Sequence, residues 1–211
     1  MANAGIQLVG FALAFFGFIG SIASTVMVEW KASSYAGDNI ITAQALYEGL
    51  WKSCVSQSTG QVQCKVYDSL LQLPGIVLGT RGLMLCSIVL CLISILVAAV
   101  GMRCTTCMAE VPEQKDKVAL TAGIIFIIAG LLTLVGTCWY GHRIAQDFYD
   151  PFTPTNSRYE FGSALYVGWG SAFLIIIGGS FFCCNCSSKS SGKSQRYPPS
   201  RSADQPGRDY V

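Results

Sequence analysis

Ten cysteines and a single histidine are the residues of this 211-residue chain whose chemistry first needs an explanation. A thiol can form a disulfide, ligate a metal, exchange electrons or carry an acyl chain, and its neighbours and compartment decide which. Cys104-Thr105-Thr106-Cys107 matches C-x-x-C. Zinc would need four ligands there, and no second cysteine pair has histidine support, His142 being alone. A redox pair and lipid acylation are the other readings of Cys104 and Cys107, and any enzymatic reading rests on these two thiols. Cys183, Cys184 and Cys186 cluster near the start of a polar tail, whereas Cys86, Cys91 and Cys138 sit in apolar runs and are expected to behave as small apolar residues. Cys54 and Cys64 stand apart, in a polar stretch rich in β-formers.

The elements that position these thiols follow from where the charges are missing. Only 12% of the chain is charged and 52% is hydrophobic, against about 25% charged in a soluble domain. A formal net charge of +2 supplies no field for nucleic acid. Residues 5–28, 82–102, 118–139 and 162–182 contain no Asp, Glu, Lys or Arg. Each exceeds the roughly 20 residues that a helix needs to cross a bilayer core of about 30 Å. The first run lacks a positive leader and is too long for a signal peptide. The segments between and after the spans, 103–117 and 183–211, hold eight Lys/Arg in 44 residues, against six in 75 for loops 29–81 and 140–161. The positive-inside rule therefore predicts cytoplasmic termini and two loops outside. Small residues recur in the spans, as in Ala119-x-x-x-Gly123 and Ala164-x-x-x-Gly168, and predict close helix packing within the chain. With no ionisable residue inside a span, the usual marker of an ion relay or transporter site is absent.

The first outside loop is not a linker. β-forming runs at 29–32, 39–42, 50–55 and 61–67 are separated by turn residues. The last two are joined by Ser58-Thr59-Gly60, a three-residue loop with glycine at the left-handed position. Centring the hairpin on Thr59 sets Cys54 directly opposite Cys64, within disulfide reach. These are the only cysteines in the outside loops, where oxidation is favoured. Cys104, Cys107, Cys183, Cys184 and Cys186 fall at the cytoplasmic membrane edge and are candidates for palmitoylation.

Trp30, Gly49-Leu50-Trp51, Cys54, Cys64 and Arg81 together reproduce the W-GLW-C-C signature of claudins, the tetraspan proteins of tight junctions, and the whole chain resembles that family. Connexins need three cysteines in each outside loop, and tetraspanins place the large loop second. Phe18 and Lys52 depart from common claudin residues, and Pro74-Gly75 interrupts a segment that family members form as a short extracellular helix before Arg81. The resemblance implies a left-handed four-helix transmembrane bundle carrying an extracellular antiparallel β-sheet, completed by a strand from the second loop. Residues 1–182 would form this domain, and 183–211 a disordered cytoplasmic tail. It further implies a plasma-membrane protein of the tight junction that polymerises with other claudins in cis and trans, contacts membrane lipid, needs no cofactor, binds no nucleic acid and catalyses nothing. Auxiliary tetraspan subunits of channels or receptors share the pattern and form the alternative.

Site roles carry over residue by residue. Trp30, Leu50 and Trp51 would anchor the sheet at the membrane interface, or simply pack beneath it. Arg81 would close the first loop. Leu70 would enter a neighbour's pocket of Phe148, Tyr149 and Phe161. Cation-conducting claudins place carboxylates between the cysteines or just after the second. Here Gln57 occupies the first position, Lys65 the second, and Lys52 adds a charge on the adjacent strand. That pattern predicts a barrier disfavouring cations. Asp209-Tyr210-Val211 ends in a free carboxylate and an apolar residue, the form that PDZ domains of zonula-occludens-type scaffolds take by strand addition.

The hairpin disulfide is directly testable. Cys54 and Cys64 should resist alkylation until reduced, and closing this loop contributes about 2–3 kcal/mol. Mass spectrometry that finds both alkylated without reductant would rule the bond out.

Overall fold

The computed structural model describes residues 4–33, 45–57, 59–69, 73–102, 112–151 and 158–187. Among them, the elements in chain order are α1 (Ala4–Val26), β1 (Lys31–Ser33), β2 (Ala45–Glu48), β3 (Lys52–Ser56), β4 (Val62–Val66), α2 (Gly75–Gly101), α3 (Pro112–Tyr149), β5 (Glu160–Phe161) and α4 (Ser163–Ser187). All four helices are long and apolar enough to cross a membrane. They form a ring in which α1 packs on α4, α4 on α3, and α3 on α2, with a lesser contact closing α1 to α2.

The buried residues explain how the helices pack. On α2, Val77, Thr80, Met84, Ser87, Cys91, Ser94, Ala98 and Gly101 follow one another in alternating steps of three and four, with Arg81 buried beside them. The same spacing recurs at Gln7, Gly10, Ala14, Gly17, Ser21 and Ser24 on α1, and at Ala164, Gly168, Ser171, Ile175, Gly178 and Phe182 on α4. A repeat of about 3.5 residues per turn favours left-handed supercoiling. Most of these residues are small or carry a hydroxyl. Ser94 Oγ donates to the Ala122 carbonyl at 2.6 Å and Ser87 Oγ to the Ala129 carbonyl at 2.7 Å, tying α2 to α3, while Ser24 Oγ donates to the Ala164 carbonyl at 2.8 Å, tying α1 to α4. Such interhelical bonds contribute about 0.6 kcal/mol each. The adjacent Gly178 and Gly179 let α4 approach two neighbours at once. A Cβ on Gly178 would lie 2.6 Å from the Gly10 carbonyl oxygen on α1, and one on Gly179 would lie 2.8 Å from the Gly123 carbonyl oxygen on α3.

Helix bounds differ from the charge-free runs at several ends. Pro74 occupies the N-cap position of α2, where its missing N–H costs nothing, and the helix runs unbroken from Gly75. Helix therefore starts at the Pro74-Gly75 interruption and covers the residues from Gly75 to Arg81 as part of the second span, while residues 70–72 lie outside the described residues. α3 continues past 139 to Tyr149, so nearly half of the expected second loop is helical. Tyr140 and Ile144 continue its buried stripe, and Arg143 pairs with Asp147 one turn on, at 3.5 Å.

The strands form one sheet in the order β4-β3-β2-β1-β5, every pair antiparallel. β5 brings the second loop against β1, with Lys31 opposite Phe161. β2 lies at 45–48, where no strand was expected; the expected strand at 39–42 lies outside the described residues. Under the sheet, Trp30 and Leu50 join Val77 and Met84 of α2, Tyr140 and Ile144 of α3, and Ala164 and Leu165 of α4 in one buried cluster. The sheet thus stands on the end of the bundle where α2 and α4 begin and α3 ends.

Close approach, rather than apolarity, should govern bundle stability. Gly178→Ala should cost about 1–3 kcal/mol by overpacking, and should lower the detergent melting temperature clearly. Gly82→Ala, where a Cβ meets nothing within 4 Å, should leave it unchanged or slightly raised. Equal melting of the two variants would remove close approach as the cause.

Candidate functional site

The signature residues build a buried support beneath the sheet. Trp30 is fully buried, donates from Nε1 to the Ser24 carbonyl at 2.9 Å, and meets Tyr140 edge to face at 5.1 Å between ring centroids. Leu50 is also fully buried. Both pack under the sheet rather than reaching out to lipid, whereas Trp51 stays half-exposed. Arg81, buried on α2, donates from Nε to the Leu50 carbonyl at 2.6 Å. Its guanidinium lies 4.8 Å from the Trp51 ring centroid and 5.7 Å from that of Tyr67, so the same planar fork that holds the Leu50 carbonyl makes cation–π contacts with both rings. Gly49 is required by space, because a Cβ there would lie 2.7 Å from the Val28 backbone.

Above this support the hairpin closes with Cys54 opposite Cys64, and the two are joined by a disulfide. Gly60 holds the turn at φ 80°, and Gln57 accepts its N–H at 2.9 Å. The register sorts the charges. Directly opposed residues share a face of the sheet, and one row crosses four strands as Lys31–Glu48–Ser53–Lys65. The next row, Ala32–Tyr47–Cys54–Cys64, faces the other way. Lys52, opposite Val66, belongs to the disulfide face. The expectation that Lys52 adds to Lys65 therefore meets a geometric obstacle: the two ammonium groups leave the sheet on opposite sides.

The row with Lys65 lines a cleft of about 300 Å³ between the sheet and the start of α2, shared with Tyr67, Asp68, Pro74 and Tyr140. Within it Lys31 pairs with Glu48 at 2.7 Å, and its ammonium sits 4.3 Å from the Tyr159 ring centroid. Tyr159 donates to the other Glu48 oxygen at 3.3 Å, which links the two loops. Burial, and then the Glu48 charge, push the Tyr159 hydroxyl up to about 12. Tyr67 is raised by the same causes, with Arg81 opposing, and donates to the Gly49 carbonyl at 3.2 Å. Lys65 pairs with Asp68 at 2.5 Å, and that carboxylate holds its ammonium protonated above the usual lysine range. Nothing in the sequence marks Glu48 or Tyr159, and Asp68 is marked only by its position three residues beyond Lys65.

A second cavity, about 310 Å³, lies among Phe148, Tyr149, Phe161, Ile144, Tyr159 and Tyr166. Tyr149 is 81% exposed, so this aromatic group has an unfilled side. Leu70, expected to fill the equivalent pocket on a neighbour, lies outside the described residues, as do Cys104, Cys107, the side chain of Cys186, and Asp209, Tyr210 and Val211. Cys183 and Cys184 are free thiols near the end of α4.

Comparison with known proteins covers nearly the whole chain. Residues 4–182 match the sequence profile of the PMP-22/EMP/MP20/Claudin family. The chain is 55% identical to claudin-1 of Rattus norvegicus over 211 residues, all of both proteins. It is 49% identical to claudin-7 of Mus musculus over the same full span. With claudin-19 of Rattus norvegicus it shares 54% identity over 186 residues, 88% of this chain and 83% of that relative.

The Arg81 contact predicts an asymmetric pair of variants. Arg81→Met leaves the Leu50 carbonyl buried without a donor, a loss of about 1–3 kcal/mol. Arg81→Lys should recover only part of that stability, since the stacked guanidinium is gone. Thermal unfolding in detergent should rank wild type above Lys above Met, and full recovery by Lys would show that charge alone suffices.

Proposed function

This chain belongs to the PMP-22/EMP/MP20/claudin family, and on that premise we propose that it is a tight-junction claudin that polymerises into intercellular strands and seals the space between cells. The observation that carries this is full-length identity of about half with claudins, 55% in one relative, without gaps in coverage at either end. The chain is structural and catalyses no reaction. Copies of this chain and other claudins join side by side, with Leu70 of one meeting Phe148, Tyr149 and Phe161 of the next; the open aromatic cavity supports that contact. Both termini are cytoplasmic and the sheet faces the extracellular gap, a reading supported by the Lys/Arg bias. The end Asp209-Tyr210-Val211 docks to PDZ scaffolds of the zonula-occludens type, and Cys104, Cys107, Cys183, Cys184 and Cys186 are sites for acyl chains.

The barrier disfavours cations. No carboxylate lies between the two cysteines, Gln57 holding the position that matters, and Lys65 follows the second cysteine. A fixed cation in a narrow aqueous path repels cations and draws anions. Lys65 lies on the cleft face with Lys31 and Glu48, and Lys52 contributes from the opposite face. Expressed in fibroblasts that lack junctions, the chain should form strands at cell contacts by freeze-fracture. In an epithelial monolayer, Lys65→Asp should raise sodium permeability relative to chloride. Absence of strands would overturn the junction role, and an unchanged ratio would overturn the charge assignment.

A further inference from the structure

We propose that Asp68 is a selectivity-determining residue of this barrier, holding Lys65 in an ion pair so that the charged row of the sheet presents almost no net charge to the paracellular path. The inference rests on the reading that Lys65 faces that path, and it sets how strongly Lys65 acts there. The row Lys31–Glu48–Ser53–Lys65 contains two cations and one carboxylate. Glu48 is already engaged by Lys31 at 2.7 Å and by the Tyr159 hydroxyl at 3.3 Å, so it is not available to Lys65. Lys65 stands on the edge strand β4, at the end of the row. The chain leaves β4 at Val66, and Asp68 brings its carboxylate back to 2.5 Å from the Lys65 ammonium.

Both side chains are exposed, at 76% and 73%, so the pair adds little to stability. Its consequence is electrostatic. To an ion passing several ångströms away, opposite charges in contact act as a dipole, whose field fades faster with distance than that of a lone ammonium. Opening of the contact does not free Lys65. Asp68 stays three residues along the chain, within the Debye length of about 8 Å at physiological salt. Lys52, which has no ion-pair partner among the described residues, projects from the disulfide face, so only its screened field reaches the Lys65 side and leaves a weak positive bias there. The wild-type barrier then has only a weak anion preference, and removing the acid reveals the charge beneath it.

Dilution potentials across monolayers with matched surface expression test this, using wild type, Asp68→Asn, Lys65→Gln, the double variant and Asp68→Glu. Freeze-fracture strand density serves as the assembly control. Asp68→Asn should raise the chloride-to-sodium permeability ratio by roughly two- to five-fold, the effect of one unscreened charge near contact in water. Lys65→Gln should shift the ratio the opposite way, and the double variant should return to the wild-type value. Asp68→Glu, which keeps the charge on a longer arm, should also retain it. If Lys65→Gln shifts the ratio while Asp68→Asn does not, the pairing is wrong and the Lys65 assignment stands. Should neither single variant shift it, both are wrong. An Asp68→Glu ratio equal to that of Asp68→Asn would reject charge as the cause.

Discussion

Helices in hydrocarbon gain nothing by hiding apolar surface from lipid, so this bundle depends on how closely its backbones can approach. The buried stripes are accordingly built mostly from glycine, alanine, serine and threonine, with larger side chains such as Met84, Phe126, Ile175 and Phe182 set between them. Gly178 and Gly179 let α4 lie against α1 and α3 together, with carbonyl oxygens where side chains would otherwise stand. At that separation the hydroxyls of Ser24, Ser87 and Ser94 reach carbonyls across the interfaces. Wider spacing would strand those hydroxyls in a medium that offers no water.

The rigid end of the bundle is what makes the sheet a presenting surface. Five short strands, the longest of five residues, would be weak alone. Here the middle of the sheet is seated on Trp30 and Leu50, and both are gripped from below. Ser24 accepts from Trp30, and Arg81 reaches from α2 to the carbonyl of Leu50. The same guanidinium stacks on Trp51 and Tyr67, which flank the disulfide hairpin in sequence. The hairpin is thus fixed at its base by α2 and across its middle by Cys54–Cys64. Tyr159 and β5 bind the second loop to the same sheet through Glu48 and β1.

A fixed surface lets individual charges matter, and here the charges are arranged by strand register. Lys31, Glu48 and Lys65 fall in one row because the pairings align them, while Lys52, one residue from that row, faces away. The surface of this protein is therefore described better by paired and unpaired charges on each face than by the number of lysines in the loop.

Four spans, a disulfide hairpin and the family pattern were all legible in the sequence, because each is a local signal: uncharged runs of bilayer length, two cysteines about a glycine turn, and residue types at set spacing. The span ends were less legible. α3 outruns its apolar stretch because Tyr140 and Ile144 still have a cluster to pack against, which no hydropathy window registers. β2 was not foreseen, since Ala45-Leu46-Tyr47-Glu48 has no strong preference for a strand and is held as one by β1 and β3 on either side. Trp30 was legible as important but not as buried, for its tryptophan chemistry suits a membrane interface and a core equally. The hairpin register read from the sequence already sets Lys52 and Lys65 on opposite faces, but the alignment of Lys31 and Glu48 with Lys65 and the turn of the chain that closes the Lys65–Asp68 contact were settled by tertiary structure alone. A strand's faces alternate residue by residue, and only the register of its partners and the path of the chain beyond it decide which charges meet.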